Sequence, residues 1–165
     1  MTQPLELHPD RLFPQEPRAL DIARRLYAVV GDKPIISPHG HTDPSWFADN
    51  DSFGNAAELL LTPDHYLFRM LFSQGISLDA IGVPRVNGGA AADPRACWRT
   101  FAGHYYLFRG TPSRLWLDWV FVNVFGMKVQ LNAGTADEYF DAIGEALAQQ
   151  EFLPRSLFER FNIEV

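Results

Sequence analysis

Leu20, Ala23, Leu26, Tyr27 and Val30 recur at three- and four-residue intervals, with Arg18, Asp21, Arg24 and Arg25 between them. That spacing predicts an amphipathic helix over Pro17–Val30, stopped at Gly31. Before it, Pro4, Pro9 and Pro14 leave residues 1–16 an irregular arm. After it, Pro34–Ser37 reads as a short buried strand that runs into His39-Gly40-His41.

From His41 onward the pattern is helical for more than a hundred residues. Pro44–Asp49 predicts a single turn and Asn55–Leu61 a short helix. Thr62-Pro63-Asp64 offers an N-cap, a proline at the first helical position and an acid in the first turn. The helix it opens is expected over Pro63–Gln74, ending at Gly75, with one more turn over Ser77–Ile81 before Gly82. Pro84–Ala92, with its paired glycines and run of alanines, reads as a loop and a candidate mobile lid. Asp93-Pro94 repeats the cap-plus-proline signal for a helix through Cys97, Trp98, Phe101, Tyr105 and Phe108 to Gly110. Thr111-Pro112 gives it a third time. The helix that follows carries Leu115, Trp116, Trp119, Val120, Val122 and Phe125 around much of its circumference and should be deeply buried, with Trp116 and Trp119 in the core. Thr135-Ala136-Asp137-Glu138 is a capping-box pattern opening a helix through Leu147. Pro154–Phe161 predicts a last short helix, and Ile163-Glu164-Val165 the start of a strand.

This inventory gives at most two strands among many helices. Two short strands do not make an independent sheet. A closed eight-stranded α/β barrel takes roughly 250 residues, more than the 165 present. The chain is either a helical domain with a stray strand or the opening segment of something larger. No internal repeat or domain linker is visible.

Composition narrows the function classes. The chain is 47% hydrophobic and 21% charged, enough apolar content for a real core. Its net charge of -6 argues against a general nucleic-acid or anionic-membrane binder, which would carry a basic field. A single cysteine, Cys97, allows no internal disulfide framework and suits a reducing, cytoplasmic setting. It lies mid-helix with no base beside it and reads as inert. No secretory leader is expected at the N-terminus, and no apolar run is long enough to span a membrane.

Three clusters can carry chemistry. On an extended backbone, side chains two apart share a face, so His39 and His41 can converge on one point. Two converging imidazoles begin a divalent metal site, and Gly40 leaves room for close approach. The same pair also reads as a loop with two hydrogen-bonded histidines. Candidate third ligands are His8, Asp43, Asp64, His65 and His104. The second cluster is Asp64-His65-Tyr66 with Arg69, where His65 and Arg69 share a helix face. It can receive an anionic polyol, or it can be a core tyrosine, a surface histidine and an Asp64–Arg69 pair. The third, residues 105–116, places Arg109 and Arg114 among aromatics at a Gly-Thr-Pro turn and reads as structural.

At these residues the chain resembles the N-terminal part of the uronate isomerase (glucuronate isomerase) family of the amidohydrolase superfamily. The resemblance is carried by Leu12-Phe13-Pro14, residues 34–44, Pro63-Asp64-His65-Tyr66-Leu67-Phe68-Arg69-Met70-Leu71, Ser73-Gln74-Gly75, residues 108–116 and residues 158–165. It implies a single incomplete α/β domain, the N-terminal segment of a distorted (β/α)8 barrel. Residues 1–33 would form an arm and helix, 34–43 the first barrel strand and its His-x-His turn, 44–161 a helical insertion and 162–165 the next strand. It implies interconversion of aldose and ketose uronates, D-glucuronate with D-fructuronate and D-galacturonate with D-tagaturonate. His39 and His41 match metal ligands, zinc being the usual ion. His65 and Tyr66 match a substrate-site segment, with Tyr66 a catalytic candidate in proton movement between C2 and C1. No role is carried onto Arg69. The family's further metal-binding aspartate and its key substrate arginine belong to later strands, so this piece alone is expected to be inactive. A cytoplasmic homo-oligomer acting on a small uronate, without nucleic acid or membrane, is the expectation. The other readings are a metal-dependent hydrolase of the same superfamily and a non-catalytic helical assembly module.

Overall fold

The computed structural model describes residues 3–86, 88 and 92–164. Among them the chain forms eight α-helices: α1 (Pro17–Val30), α2 (Pro44–Asp49), α3 (Ala56–Leu60), α4 (His65–Ser73), α5 (Pro94–Gly103), α6 (Pro112–Asn123), α7 (Ala136–Leu147) and α8 (Pro154–Arg160). Short 3-10 turns lie at Asp79–Ile81, Tyr105–Phe108 and Gln150–Phe152. No extended strand forms among the described residues; β pairing is limited to isolated bridges. The expected lid over Pro84–Ala92 lies partly outside the described residues, at 87 and 89–91.

The chain divides into two compact units, one of Met1–Glu6 with Ser52–Gln149 and one of Leu7–Asp51 with Gln150–Val165. The first is built on aromatic packing. Trp98, Phe101, Tyr105, Phe108, Phe121 and Tyr139 are fully buried. Phe121 meets Tyr139 edge-on at 5.0 Å between ring centroids, Tyr105 at 5.9 Å and Trp98 at 6.4 Å. Offset and edge-on geometry is what the ring quadrupole favours. The polar tips inside this core are satisfied. Trp98 Nε1–H donates to the Ala136 carbonyl at 3.0 Å, and Tyr139 O–H to the Val129 carbonyl at 2.5 Å. The N-terminal arm pairs antiparallel at Pro4 and Val129, with Leu5 N–H donating to the Lys128 carbonyl and Gln130 N–H to the Gln3 carbonyl.

Four sequence expectations are corrected in this unit. α4 starts at His65 rather than Pro63, because Thr62 N–H closes onto the Ala57 carbonyl behind α3 while Asp64 caps α4. The helix expected to run from Asp93 to Gly110 ends at Gly103, a poor helix former, and continues as the 3-10 turn. α6 is only partly buried: Leu117 and Phe121 face the core, whereas Leu115, Trp116 and Trp119 are exposed. The capping box at Thr135 does not form. Its hydroxyl donates to the Gln130 carbonyl and accepts from Asn132 N–H, so it braces the preceding turn instead.

In the second unit, α1 occupies the expected residues. Glu16 caps it by accepting from Arg18 N–H and Ala19 N–H, and Arg24 grips the buried Asp10 through two hydrogen bonds. Gly31 ends α1 in a right-handed conformation, so no left-handed cap is involved. The apolar face of α1 is only partly covered: Leu20 and Ala23 are half-buried and Tyr27 meets Phe13 edge-on, while Leu26 and Val29 are 64% and 69% exposed. Asn50, at φ 57°, closes α2. Arg155 then locks that end, donating from Nε to the Phe47 carbonyl and from Nη2 to the Ala48 carbonyl, while its own N–H donates to Asn50 Oδ1. Phe47 meets Phe158 of α8 edge-on at 5.6 Å.

The strand expected over Pro34–Ser37 contracts to one parallel bridge between Ile35 and Ile163, the very segment where the second strand was expected. Ile35 N–H donates to the Asn162 carbonyl, and Glu164 N–H to the Ile35 carbonyl. The bridge is not buried: Ile35 is exposed and Ile163 half-buried. Two segments with no further neighbours cannot extend into a sheet.

Candidate metal and substrate site

The turn after Ile35 is shaped by two side chains on either side of the histidines. Ser37 Oγ donates to the His39 carbonyl at 2.9 Å. Asp43 accepts from Ser45 N–H at 2.9 Å and caps α2, with Pro44 at its first turn. That backbone hydrogen bond is the main reason the Asp43 carboxyl sits below its usual range. Between these anchors the two imidazoles meet. His39 Nε2 and His41 Nε2 lie 2.9 Å apart, with ring planes at 87°. Both residues are exposed. A Cβ at Gly40 would meet only Thr42 Oγ1, at 3.5 Å. The site is therefore open, and the glycine is not sterically required.

The nitrogen pair fits a divalent ion. Two nitrogens bound at about 2.0–2.1 Å stand roughly 2.9 Å apart when the angle between the bonds is near 90° and roughly 3.3 Å apart at the tetrahedral angle. The observed 2.9 Å matches two ligands at about 90° and is equally the length of a hydrogen bond between the two rings. Among the described residues no group of three or more His, Cys, Asp and Glu is placed to hold an ion. Four of the five candidate third ligands make other contacts. Asp43 and Asp64 are helix caps, His8 accepts the Asp10 N–H at Nδ1, and His104 Nδ1 lies 2.8 Å from the Thr100 carbonyl.

His65 and Tyr66 open α4, in the other unit. Asp64 Oδ1 accepts from Tyr66 N–H at 2.8 Å and Leu67 N–H at 3.2 Å, which fixes this first turn. The two rings stack at 4.1 Å between centroids, tilted by 35°. Tyr66 is 63% exposed, so it is not a core aromatic, and no Asp64–Arg69 ion pair forms among the described residues. An imidazole and a phenol are thus presented together on one turn, supported by the buried Leu67 and Leu71 behind them.

The cluster at residues 105–116 is structural, as expected, but through a network that sequence reading missed. Tyr105 O–H donates to Asp118 Oδ1 at 2.9 Å, and Arg114 Nε donates to Asp118 Oδ2 at 2.7 Å. The Arg114 guanidinium lies over the Tyr105 ring at 4.0 Å. Burial, with the Asp118 charge beside it, pushes the Tyr105 phenol far up, so it stays a donor. Arg114 and Asp118 at i, i+4 were the available signal. Cys97 is buried and free; burial raises its thiol above the usual range, which fits an inert residue.

The family model for glucuronate isomerase matches residues 18–165. The chain belongs to the glucuronate isomerase family. It is 64% identical over its whole length to a uronate isomerase of Sphingopyxis alaskensis, and 66% identical over 162 residues to one of Xanthomonas euvesicatoria. The chain spans about a third of the length of the curated relatives it matches, 34% in both cases. Among solved structures, glucuronate isomerase from Caulobacter crescentus matches 99% of the chain with a TM-score of 0.96 at 61% identity, again over 34% of that protein. Uronate isomerase from Thermotoga maritima has a TM-score of 0.81 at 24% identity and shows the shared fold. Among the described residues no helix is long and apolar enough to cross a membrane.

Proposed function

We propose that the chain is the N-terminal third of a uronate isomerase that interconverts aldose and ketose uronates, D-glucuronate with D-fructuronate and D-galacturonate with D-tagaturonate. The observation that carries this reading is the glucuronate isomerase match across residues 18–165. In it, Ile35 lies on the first strand and Ile163 on the second strand of a distorted (β/α)8 barrel, with the intervening helices as an insertion. The parallel sense of the Ile35–Ile163 bridge supports that order. The domain is then incomplete within these residues.

His39 and His41 would hold a divalent ion, zinc by chemical preference for imidazole. When bound, such an ion orients and polarises substrate oxygens. The chain's own acid–base group is Tyr66. Aldose-to-ketose conversion removes the proton on C2, passes through an enediol and returns a proton to C1, while a proton moves from O2 to O1. A phenol on an exposed first turn can exchange a proton at C2 or C1, and the stacked His65 holds its ring and can hydrogen-bond a substrate hydroxyl. The protein is expected to work as a cytoplasmic homo-oligomer, with no nucleic-acid or membrane partner.

The test is a D-glucuronate assay with added zinc on two proteins. One is the 165-residue chain; the other is that chain joined to the part of the Sphingopyxis alaskensis relative outside the match. Ketose from the joined protein and none from the short chain is the expected result. Ketose from the short chain would remove the need for further ligands. Hydrolysis of esters or lactones by the joined protein, with no ketose, would move the assignment to a hydrolase.

A further inference from the structure

The exposed residues of α4 share one face. His65, Tyr66, Arg69, Phe72 and Ser73 are exposed, whereas Leu67 and Leu71 are buried on the opposite side. At 3.6 residues per turn the exposed set falls within an arc of about 120°. Arg69 sits in the middle of that arc, at i+4 from His65 and i+3 from Tyr66, so the three side chains are neighbours. Helical side chains lean towards the N-terminus and cover the turn before their own. Arg69 therefore reaches over the turn that presents the His65–Tyr66 stack. The nearest carboxylate in sequence, Asp64, accepts from Tyr66 N–H and Leu67 N–H instead of pairing with it. Among the described residues the Arg69 side chain makes no ion pair or hydrogen bond. An uncommitted guanidinium thus stands beside the imidazole and the phenol.

We infer that Arg69 is a further catalytic residue, a fixed cation that spans O1 and O2 of the enediol intermediate. This rests on the reading above of Tyr66 as the group that exchanges a proton at C2 or C1. Loss of the C2 proton to a base makes the C1–C2 double bond and sends the carbonyl electron pair to O1. The proton on O2 then moves to O1, and protonation at C1 leaves the ketone at C2. Negative charge appears on O1 and then on O2, and no oxidant or reductant is consumed. A guanidinium stays protonated throughout, so it does not divert the moving proton. Its planar fork meets two oxygens of a cis-enediol as it meets those of a carboxylate. A cation already in place that gains its partner only as charge develops lowers the barrier without tightening substrate binding.

The experiment compares wild type, Arg69→Ala and Arg69→Lys in the joined protein, with circular dichroism to check each fold. Two readouts are taken: D-glucuronate turnover, and calorimetric titration with a sugar monohydroxamate, a planar mimic of the enediolate, beside the matching neutral amide. Arg69→Ala should lower kcat at least tenfold with KM within about threefold, and weaken the hydroxamate at least tenfold with the amide within about threefold. Arg69→Lys keeps the charge and loses the fork, and should fall between the other two. Unchanged kcat and unchanged hydroxamate affinity in Arg69→Ala overturn the inference. So does a rise in KM with equal losses for hydroxamate and amide, which would make Arg69 a ground-state anchor for the uronate carboxylate. Where Arg69→Ala does not fold, Arg69→Lys decides, and wild-type values there overturn the paired contact. A wild-type protein that makes no ketose yet shows the hydroxamate difference upholds the role of Arg69 at an anion and sinks the isomerase assignment. Ketose formation with indifferent Arg69 variants does the reverse, and a wild type that neither makes ketose nor binds the hydroxamate sinks both.

Discussion

Nε2 of His39 and Nε2 of His41 lie 2.9 Å apart, close enough to share one proton or one ion. Two ligands alone bind a divalent ion weakly, so each should matter. His39→Ala and His41→Ala are each expected to lower zinc affinity at least tenfold in calorimetric titration. Asp43→Ala should loosen α2 and leave zinc affinity unchanged, because its carboxylate is a helix cap. An equal loss in Asp43→Ala would make that aspartate a ligand.

Tyr66 is exposed and stacks on His65, and the proposed isomerase reading gives it proton exchange. In the joined protein Tyr66→Phe should lower kcat by about 10²–10⁴, the usual share of a general acid–base group, with a smaller effect on KM. A change confined to KM would leave Tyr66 a binding residue only.

Phe121 is the hub of the aromatic core, with ring contacts to Trp98, Tyr105 and Tyr139. Phe121→Ala is expected to cost about 3–5 kcal/mol, a large part of a typical domain's stability. Urea unfolding followed by tryptophan fluorescence reads this directly; a loss under about 1 kcal/mol would mean the core repacks.

Asp10 titrates in the second unit. Hydrogen bonds from Arg24 hold its carboxyl below the usual range, with burial opposing them. The folded state therefore favours the ionised form. Its stabilisation is present above the unfolded-state value near about 3.9 and is lost as pH falls through the lower folded value. The melting temperature of wild type should exceed that of Asp10→Asn near neutrality, and the two should converge in acid. A gap that persists below about pH 2 would point to packing rather than charge.

Cys97 should resist iodoacetamide in the folded chain at neutral pH and react fully in urea, since burial both hides the thiol and raises its pKa. Ready native labelling would show that α5 opens locally.

Helix positions were legible because the start signals are local. Asp93-Pro94 and Thr111-Pro112 cap α5 and α6 as their chemistry dictates, and Asp43-Pro44 caps α2 with a like signal that the sequence reading passed over. Thr62 and Thr135 carry similar signals and do not cap, because a neighbouring carboxylate or a tight turn takes the hydrogen bonds first. Burial was less legible. Leu26, Trp116 and Trp119 are as apolar as core residues, and their spacing does not say what covers them. At the candidate site, the approach of His39 to His41 follows from their spacing. The Arg155 lock on α2 does not, because its partners are more than a hundred residues away in sequence.

That lock has a consequence for biosynthesis. Asn50 and Arg155 are 105 residues apart. At about 5–20 residues per second, roughly 5–20 s separate their emergence from the ribosome. Ile35 waits longer still for residues 162 and 164. The partners of Asn50 and Ile35 thus emerge more than a hundred residues after them. Until residues 155–164 emerge, α2 lacks the Arg155 lock and Ile35 lacks its bridge, whereas the Ser37 and Asp43 hydrogen bonds at the histidine turn are local and can form at once.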